Sequence, residues 1–339
     1  MRLFLRTFLL FLLLVAYTWV DYPKRYNMQF PREPGPRFDH QMRETYINML
    51  NEQHPDLVLL GDSTLNHGVD PQLLEQLTGK SILNIGIDGS ASALWYLVIK
   101  NNLTAAQFKP KYILIVFRDS ILTAPGYRVQ GSYFTQLDEF AYAHEPLLLQ
   151  RSFLDEMNPL EYAGEKYLPL YGARSNVRGD IDSFVRYSLT GLAGCDKDCT
   201  DTGMYLTFGG ADLQQGELRQ AVAAAESYLY TQQQLDFHSQ VDQSYLPEMI
   251  RLTQENHIQL IAVRLKTLAS GMGDVESPAL KSYVADLSVY LASNNVPFLD
   301  FGSDPRLKDA YFLDSIHLDP QGQKIFTELL ANALKPILK

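Results

Sequence analysis

Short apolar runs alternate with helix-like stretches along most of this chain, and that alternation leaves few folds open to it. Residues 57–60, 81–85, 112–117, 259–263 and 297–301 read as strands. The third, Tyr-Ile-Leu-Ile-Val-Phe, is rich in the β-branched side chains that suit a pleated, buried surface. Between them, residues 71–77, 91–101, 246–255 and 279–293, and a stretch beginning at Pro320, carry helical spacing. A strand that returns to its neighbour through a helix enters the sheet in the same direction, so the pattern predicts a parallel, doubly wound α/β sheet. With 339 residues, 46% of them hydrophobic, the chain can fill a substantial core without staples.

Two segments stand outside the alternation. Residues 121–244, rich in Tyr, Gly and Gln, read as an insertion in a domain of residues 55–339 and are expected to cap or flank its site; residues 211–240 have helical composition. At the N-terminus, Arg2 and Arg6 precede residues 7–20, where Thr7 and Thr18 are the only polar side chains. Residues 1–25 are read as an uncleaved membrane anchor, because no small-x-small cleavage site follows the run and Trp19 and Tyr22 resemble interfacial aromatics. A cleaved signal peptide is the alternative, and both readings place the domain outside the cytoplasm. Pro23, Pro31, Pro34 and Pro36 interrupt regular structure. Residues 26–54 therefore read as a tether with a short amphipathic piece around 42–50.

The formal net charge of -10 argues against nucleic acid as a partner, since its phosphates would be repelled and no basic stripe compensates. The only cysteines, Cys195 and Cys199, suit a small disulfide loop in an oxidising compartment. They are too few for a metal site, and His40, His54, His144, His238 and His257 lack ligand spacing, so neither metal nor cofactor is expected.

Three motifs carry chemistry. Residues 57–60 run straight into Gly61-Asp62-Ser63 and then a helical stretch. Such a turn sets a serine hydroxyl at the carboxyl end of the first strand, where open α/β sheets bind ligands and helix-start N–H groups can meet an oxyanion. Near the far end, Asp314-Ser315-Ile316-His317 places a carboxylate and an imidazole on one side of a single turn, so that Asp314 can orient His317 and His317 can take the Ser63 proton. Between them lies Asn84-Ile85-Gly86-Ile87-Asp88-Gly89, whose glycines let backbone approach a reacting carbonyl. His67, four residues beyond Ser63, reads as a partly exposed polar residue.

Together these residues resemble the SGNH (GDSL-like) hydrolase superfamily over residues 56–119 and 246–335. The resemblance implies a three-layer α/β/α sandwich with a five-stranded parallel sheet in flavodoxin-like order. It also implies catalysis by Ser63, Asp314 and His317, with Gly89 as an oxyanion donor. The chain departs from the family at Val116-Phe117-Arg118-Asp119-Ser120, where Gly-x-Asn-Asp is usual; the oxyanion asparagine is absent, and Arg118 or Ser120 is expected to stand in for it unless Asp119 neutralises Arg118.

A membrane-held, extracytoplasmic domain of this kind is similar to proteins that acylate exported polymers, of the alginate acetylation and teichoic-acid D-alanylation (DltD) types. That likeness implies an O-acyltransferase, most often an acetyltransferase, in a bacterial cytoplasmic membrane with its domain in the periplasm. A polysaccharide or cell-wall polymer would be the acceptor, and a multi-pass membrane O-acyltransferase would deliver the acyl group. The alternatives are a secreted carbohydrate or lipid esterase and a non-catalytic assembly protein of an exopolysaccharide system.

Overall fold

A computed structural model describes residues 2–192, 194–208, 226–268 and 276–338. They form two compact units: Met1–Pro36 with Phe153–Leu213, and Arg37–Ser152 with Gln214–Lys339. The strands are β1 (Leu57–Gly61), β2 (Ile82–Gly86), β3 (Tyr112–Phe117), β4 (Gln259–Arg264) and β5 (Phe298–Asp300). The helices before the insertion are α1 (Arg2–Arg25), α2 (Thr45–Gln53), α3 (Ser63–Gly68), α4 (Pro71–Thr78) and α5 (Ser92–Val98). Next come α6 (Ser132–Phe140), α7 (Pro146–Leu149), α8 (Pro159–Tyr167), α9 (Pro169–Gly172), α10 (Arg174–Leu192) and α11 (Lys197–Phe208). The described helices end with α12 (Phe237–Val241), α13 (Leu246–Glu255), α14 (Pro278–Ser293) and α15 (Pro320–Leu334).

In the second unit all five strands join one parallel sheet in the order β2-β1-β3-β4-β5, the flavodoxin-like order expected. β1 and β3 are buried at every position, which is why they read as unbroken apolar runs rather than as alternating ones. On one face, Leu57, Leu59, Leu114, Val116, Ile261 and Val263 pack against Leu65, Leu74, Phe326 and Leu330 of α3, α4 and α15. Alternation sends Val58, Leu60, Ile113 and Ile115 to the other face. There α2, α5, α13 and α14 supply buried Leu50, Trp95, Met249 and Leu287. The result is the three-layer α/β/α sandwich. Because successive strands leave β1 in opposite directions, toward β2 and then β3, the carboxyl end of β1 sits at the crevice of the sheet.

Differences from the sequence reading are local. The helix expected over residues 91–101 is α5 continued by a π turn at Ile99–Leu103. Strand β5 keeps only three residues, since it is an edge strand paired with β4 alone. The helical composition noted at residues 211–240 falls partly outside the described residues; within them it yields a 3-10 turn at Ser227–Tyr230 and α12.

The first unit holds α1 and α8–α11. Helix α1 runs through Pro23 to Arg25, and its Leu3–Arg25 portion, with mean hydropathy 2.1, is long and apolar enough to cross a membrane; a signal sequence meets the same description. Residues 26–36 are packed rather than bare: Arg32 N–H donates to Lys166 O at 3.0 Å, and the Phe30 ring lies against Gly172. Asn158 and Glu161 form a reciprocal capping box that starts α8. The Cys195–Cys199 disulfide closes the turn between α10 and α11.

Candidate active site

The site begins with how β1 ends. A side chain at Gly61 would meet Leu65 Cβ at 2.8 Å and Val116 O at 2.9 Å, so only glycine lets the chain turn this sharply between β3 and α3. Asp62 then caps α3, its Oδ1 accepting from Thr64 N–H at 2.8 Å and Thr64 Oγ1 at 2.6 Å. Ser63 follows as the first helical residue, with its hydroxyl outside the capping network and its backbone N–H unbonded among the described residues.

The opposing group comes from the loop before α15. Asp314 Oδ1 accepts from the N–H groups of Ile316 at 2.8 Å and His317 at 2.9 Å, which folds the four-residue motif into a tight turn. Asp314 Oδ2 lies 2.7 Å from His317 Nδ1, and His317 Nε2 lies 2.7 Å from Ser63 Oγ. Bridging of Phe312 with Leu318 braces the loop on both sides of the motif. Burial pushes the Asp314 carboxyl up, but the His317 hydrogen bond and the two backbone N–H groups outweigh it and hold the carboxyl at about 2. The carboxylate therefore stays ionised throughout the physiological range. Whatever stability it adds is present above its ordinary value of 3.8 and is lost only as the pH falls through about 2.

Gly89 adopts φ +76°, and its N–H is unbonded among the described residues. The turn that carries it is tied to the nucleophile: Ile87 N–H donates to Gly61 O at 3.0 Å, Ser90 Oγ to the same carbonyl at 3.1 Å, and Asn66 Nδ2 of α3 to Asp88 Oδ1 at 2.8 Å. The N–H groups of Ser63 and Gly89 are two backbone donors at this end of the sheet with no partner among the described residues. A Cβ on Gly89 would sit 2.7 Å from Tyr133 Cε1, in a backbone region that disfavours side chains. Alanine keeps the N–H but its Cβ forces the turn aside, so if this N–H meets the oxyanion Gly89→Ala lowers the steady-state rate on an ester substrate roughly 10²-fold, the scale of losing one such donor. Unchanged kinetics would remove Gly89 from the site.

The structure does not bring Arg118 and Ser120 to the Ser63–His317 pair as donors. Arg118 is completely buried: its guanidinium lies 2.5 Å from Glu226, 3.7 Å from Asp62 and 3.9 Å from Asp119. Burial pulls its pKa down, but these carboxylates outweigh that and hold it above the ordinary arginine value. Ser120 is also buried and donates to Leu229 O at 2.6 Å. A group with no exposed surface and with partners inside the fold cannot meet a substrate oxygen without leaving its place. The pairing with Asp119 weighed from the sequence is present, but it is the weakest of the three contacts. Burial raises the Asp119 carboxyl against the pull of Arg118 and Arg264, and Tyr230 donates to it at 2.7 Å.

Several residues at the site carry no sequence signal of their own. Glu226 also accepts from Tyr127 OH at 2.6 Å and from Arg128 at 2.8 Å. Arg128 lies over the rings of Tyr127 and Tyr133, 5.2 and 5.4 Å from their centroids, so the insertion walls the Gly89 turn with aromatics and a guanidinium. His67 is exposed as expected, and its ring is also 4.8 Å from that of His317; α3 starting at Ser63 makes this contact, and the four-residue spacing was its available cue. Among the described residues no cluster of three or more His, Cys, Asp or Glu could hold a metal ion.

No family model and no curated protein matches this chain. Among solved structures, it is similar to a protein described as an acylhydrolase from Bacteroides fragilis, at 14% identity and a TM-score of 0.40, covering 90% of this chain and 100% of the other. It is also similar to a GDSL-like lipase from Bacteroides thetaiotaomicron, at 11% identity and a TM-score of 0.34, covering 83% and 88%. A protein described as lipolytic and of the G-D-S-L family, from Desulfitobacterium hafniense, aligns at 13% identity and a TM-score of 0.37, covering 82% and 98%. The chemistry assigned to the site rests on its own geometry.

Proposed function

We propose that this chain is an extracytoplasmic serine acyl-ester enzyme of SGNH type that transfers an acyl group, through a Ser63 acyl-enzyme, to a hydroxyl of an exported polysaccharide or cell-wall polymer. One observation carries the reading: Ser63 Oγ, His317 Nε2, His317 Nδ1 and Asp314 Oδ2 form a relay with 2.7 Å at each link, built from residues 254 positions apart. Asp314 keeps the proton on Nδ1, so the Nε2 lone pair faces the serine. As Ser63 attacks the acyl carbonyl, its proton passes to Nε2, and the developing oxyanion meets the N–H groups of Ser63 and Gly89. Nε2–H then protonates the departing alkoxide. In the second half, Nε2 takes the proton of the acceptor hydroxyl, which attacks the acyl-serine and frees Oγ. Water as acceptor gives an esterase, and a sugar hydroxyl gives a transferase.

The apolar α1 and the Cys195–Cys199 disulfide support a location outside the cytoplasm, where thiols are oxidised. An anchored enzyme is also suited to receive its acyl group from a multi-pass membrane O-acyltransferase. The test is incubation of the full chain with an acetyl ester, with and without an oligosaccharide. Acyl transfer to sugar that disappears in Ser63→Ala supports the transferase; rapid hydrolysis that ignores the sugar selects the esterase. Neither reaction, with biological function intact in Ser63→Ala, selects an assembly protein.

A further inference from the structure

The first unit carries a surface that chemistry at Ser63 does not use. Only 6% of the apolar window of α1 is buried. The covered part includes Thr18, and a cavity of about 240 Å³ lies between Phe11, Val15 and Trp19 of α1 and Leu168 and Leu170 at α9. Leu170 also lines the next concavity, with Arg174, Val177, Arg178 and Ile181 of α10, so apolar side chains continue from α1 onto α10 with two arginines among them.

Along α10, Val177, Ile181, Phe184, Val185 and Leu192 recur at helical spacing and share one stripe, while Ser175, Asn176 and Ser183 occupy the opposite side. The stripe is open: Phe184 is 71% and Leu192 87% exposed. Exposed Tyr17, Trp19, Tyr162 and Tyr167 belong to the same unit, and rings with a polar tip are the side chains that favour the headgroup level of a bilayer. Asp180 of α10 accepts from Arg25 Nη2 and Tyr26 OH, both at 2.8 Å, which ties α10 to the polar end of α1. Arg178, beside the stripe, makes no ion pair among the described residues.

We propose that α9 and α10 lie in the membrane interface beside α1, with the stripe sunk into the headgroup–acyl boundary of a phospholipid bilayer and Arg178 toward lipid phosphate. The partner is lipid because the stripe continues the surface that α1 must itself give to hydrocarbon, and because exposed aromatics of the kind that favour a bilayer interface belong to the same unit. This inference rests on α1 spanning the membrane and is independent of the Ser63 chemistry.

The test uses the full chain in phosphatidylcholine–phosphatidylglycerol liposomes, with nitroxides on Leu10→Cys, Phe184→Cys, Val185→Cys and Ser183→Cys; the native cysteines are disulfide-bonded and do not label. A far-UV circular dichroism spectrum and a thermal midpoint matching those of the unsubstituted chain certify each variant as folded. The expected result is greater accessibility to oxygen than to a water-soluble nickel chelate at positions 10, 184 and 185, and the reverse at 183. Nickel access at 184 and 185 with position 10 in lipid overturns this proposal alone. Shielding of 184 and 185 from both reagents means a protein covers the stripe, and also overturns it. Nickel access at position 10 removes the membrane span and the inference together.

Discussion

Ser63→Ala and His317→Ala are each expected to lower turnover of an activated acyl ester by about 10⁴- to 10⁶-fold, and combining them is expected to cost little more than either alone. The reason is that the two side chains act as one unit. With Oγ and Nε2 only 2.7 Å apart, removing the hydroxyl leaves the imidazole nothing to deprotonate, and removing the imidazole leaves the hydroxyl un-ionised at neutral pH. Asp314→Asn is expected to lose on the order of 10⁴-fold. An amide Nδ2 offers a donor where Nδ1–H needs an acceptor, and so favours the tautomer with its proton facing Ser63. Residual activity comes from substrate binding and the backbone donors. Steady-state kinetics with one chromogenic acetyl ester across the four variants measures all of this. Fully additive losses for Ser63 and His317 would mean that the two do not cooperate.

Glu226→Gln is expected to destabilise the second unit by about 3–5 kcal/mol, the cost of stranding a buried charge. Glu226 is fully buried and meets Arg118, Arg128 and Tyr127 at once. Without its charge, the buried Arg118 keeps only Asp62 at 3.7 Å and Asp119 at 3.9 Å, both beyond hydrogen-bonding distance. Because Asp62 caps the helix that begins at Ser63, the loss is also expected to reduce the rate. Denaturant unfolding of Glu226→Gln, Arg118→Met and the double variant forms a cycle. The two single losses are expected to sum to more than the double loss, because removing both partners leaves neither Arg118 nor Glu226 charged without the other. Additivity would show that the pair contributes nothing jointly.

How much of this was legible depended on whether a contact is local or carried by topology. Asp314 and His317 could be paired from their spacing, since one turn brings them together. Ser63 and His317 are far apart in the chain, yet a parallel sheet sends the carboxyl ends of all its strands to one edge, and α/β alternation is written in hydrophobic periodicity. The destination of Arg118 was not legible. Its position after β3 suggested a donor at the site, but a partner from the insertion, Glu226, draws the guanidinium inward, and no spacing announces that pair. The division of the chain was hidden for a similar reason. Apolar residues of α8–α10 suit a soluble core or a lipid surface equally well until their neighbours are known.

The most direct measurement is covalent trapping by a serine-reactive alkyl phosphonate followed by peptide mapping. Stoichiometric label on the peptide containing Ser63, abolished by Ser63→Ala and strongly slowed by His317→Ala, is the expected result. An intact, folded chain that leaves Ser63 unlabelled, or takes the label elsewhere, would contradict the assignment of an activated hydroxyl at the end of β1.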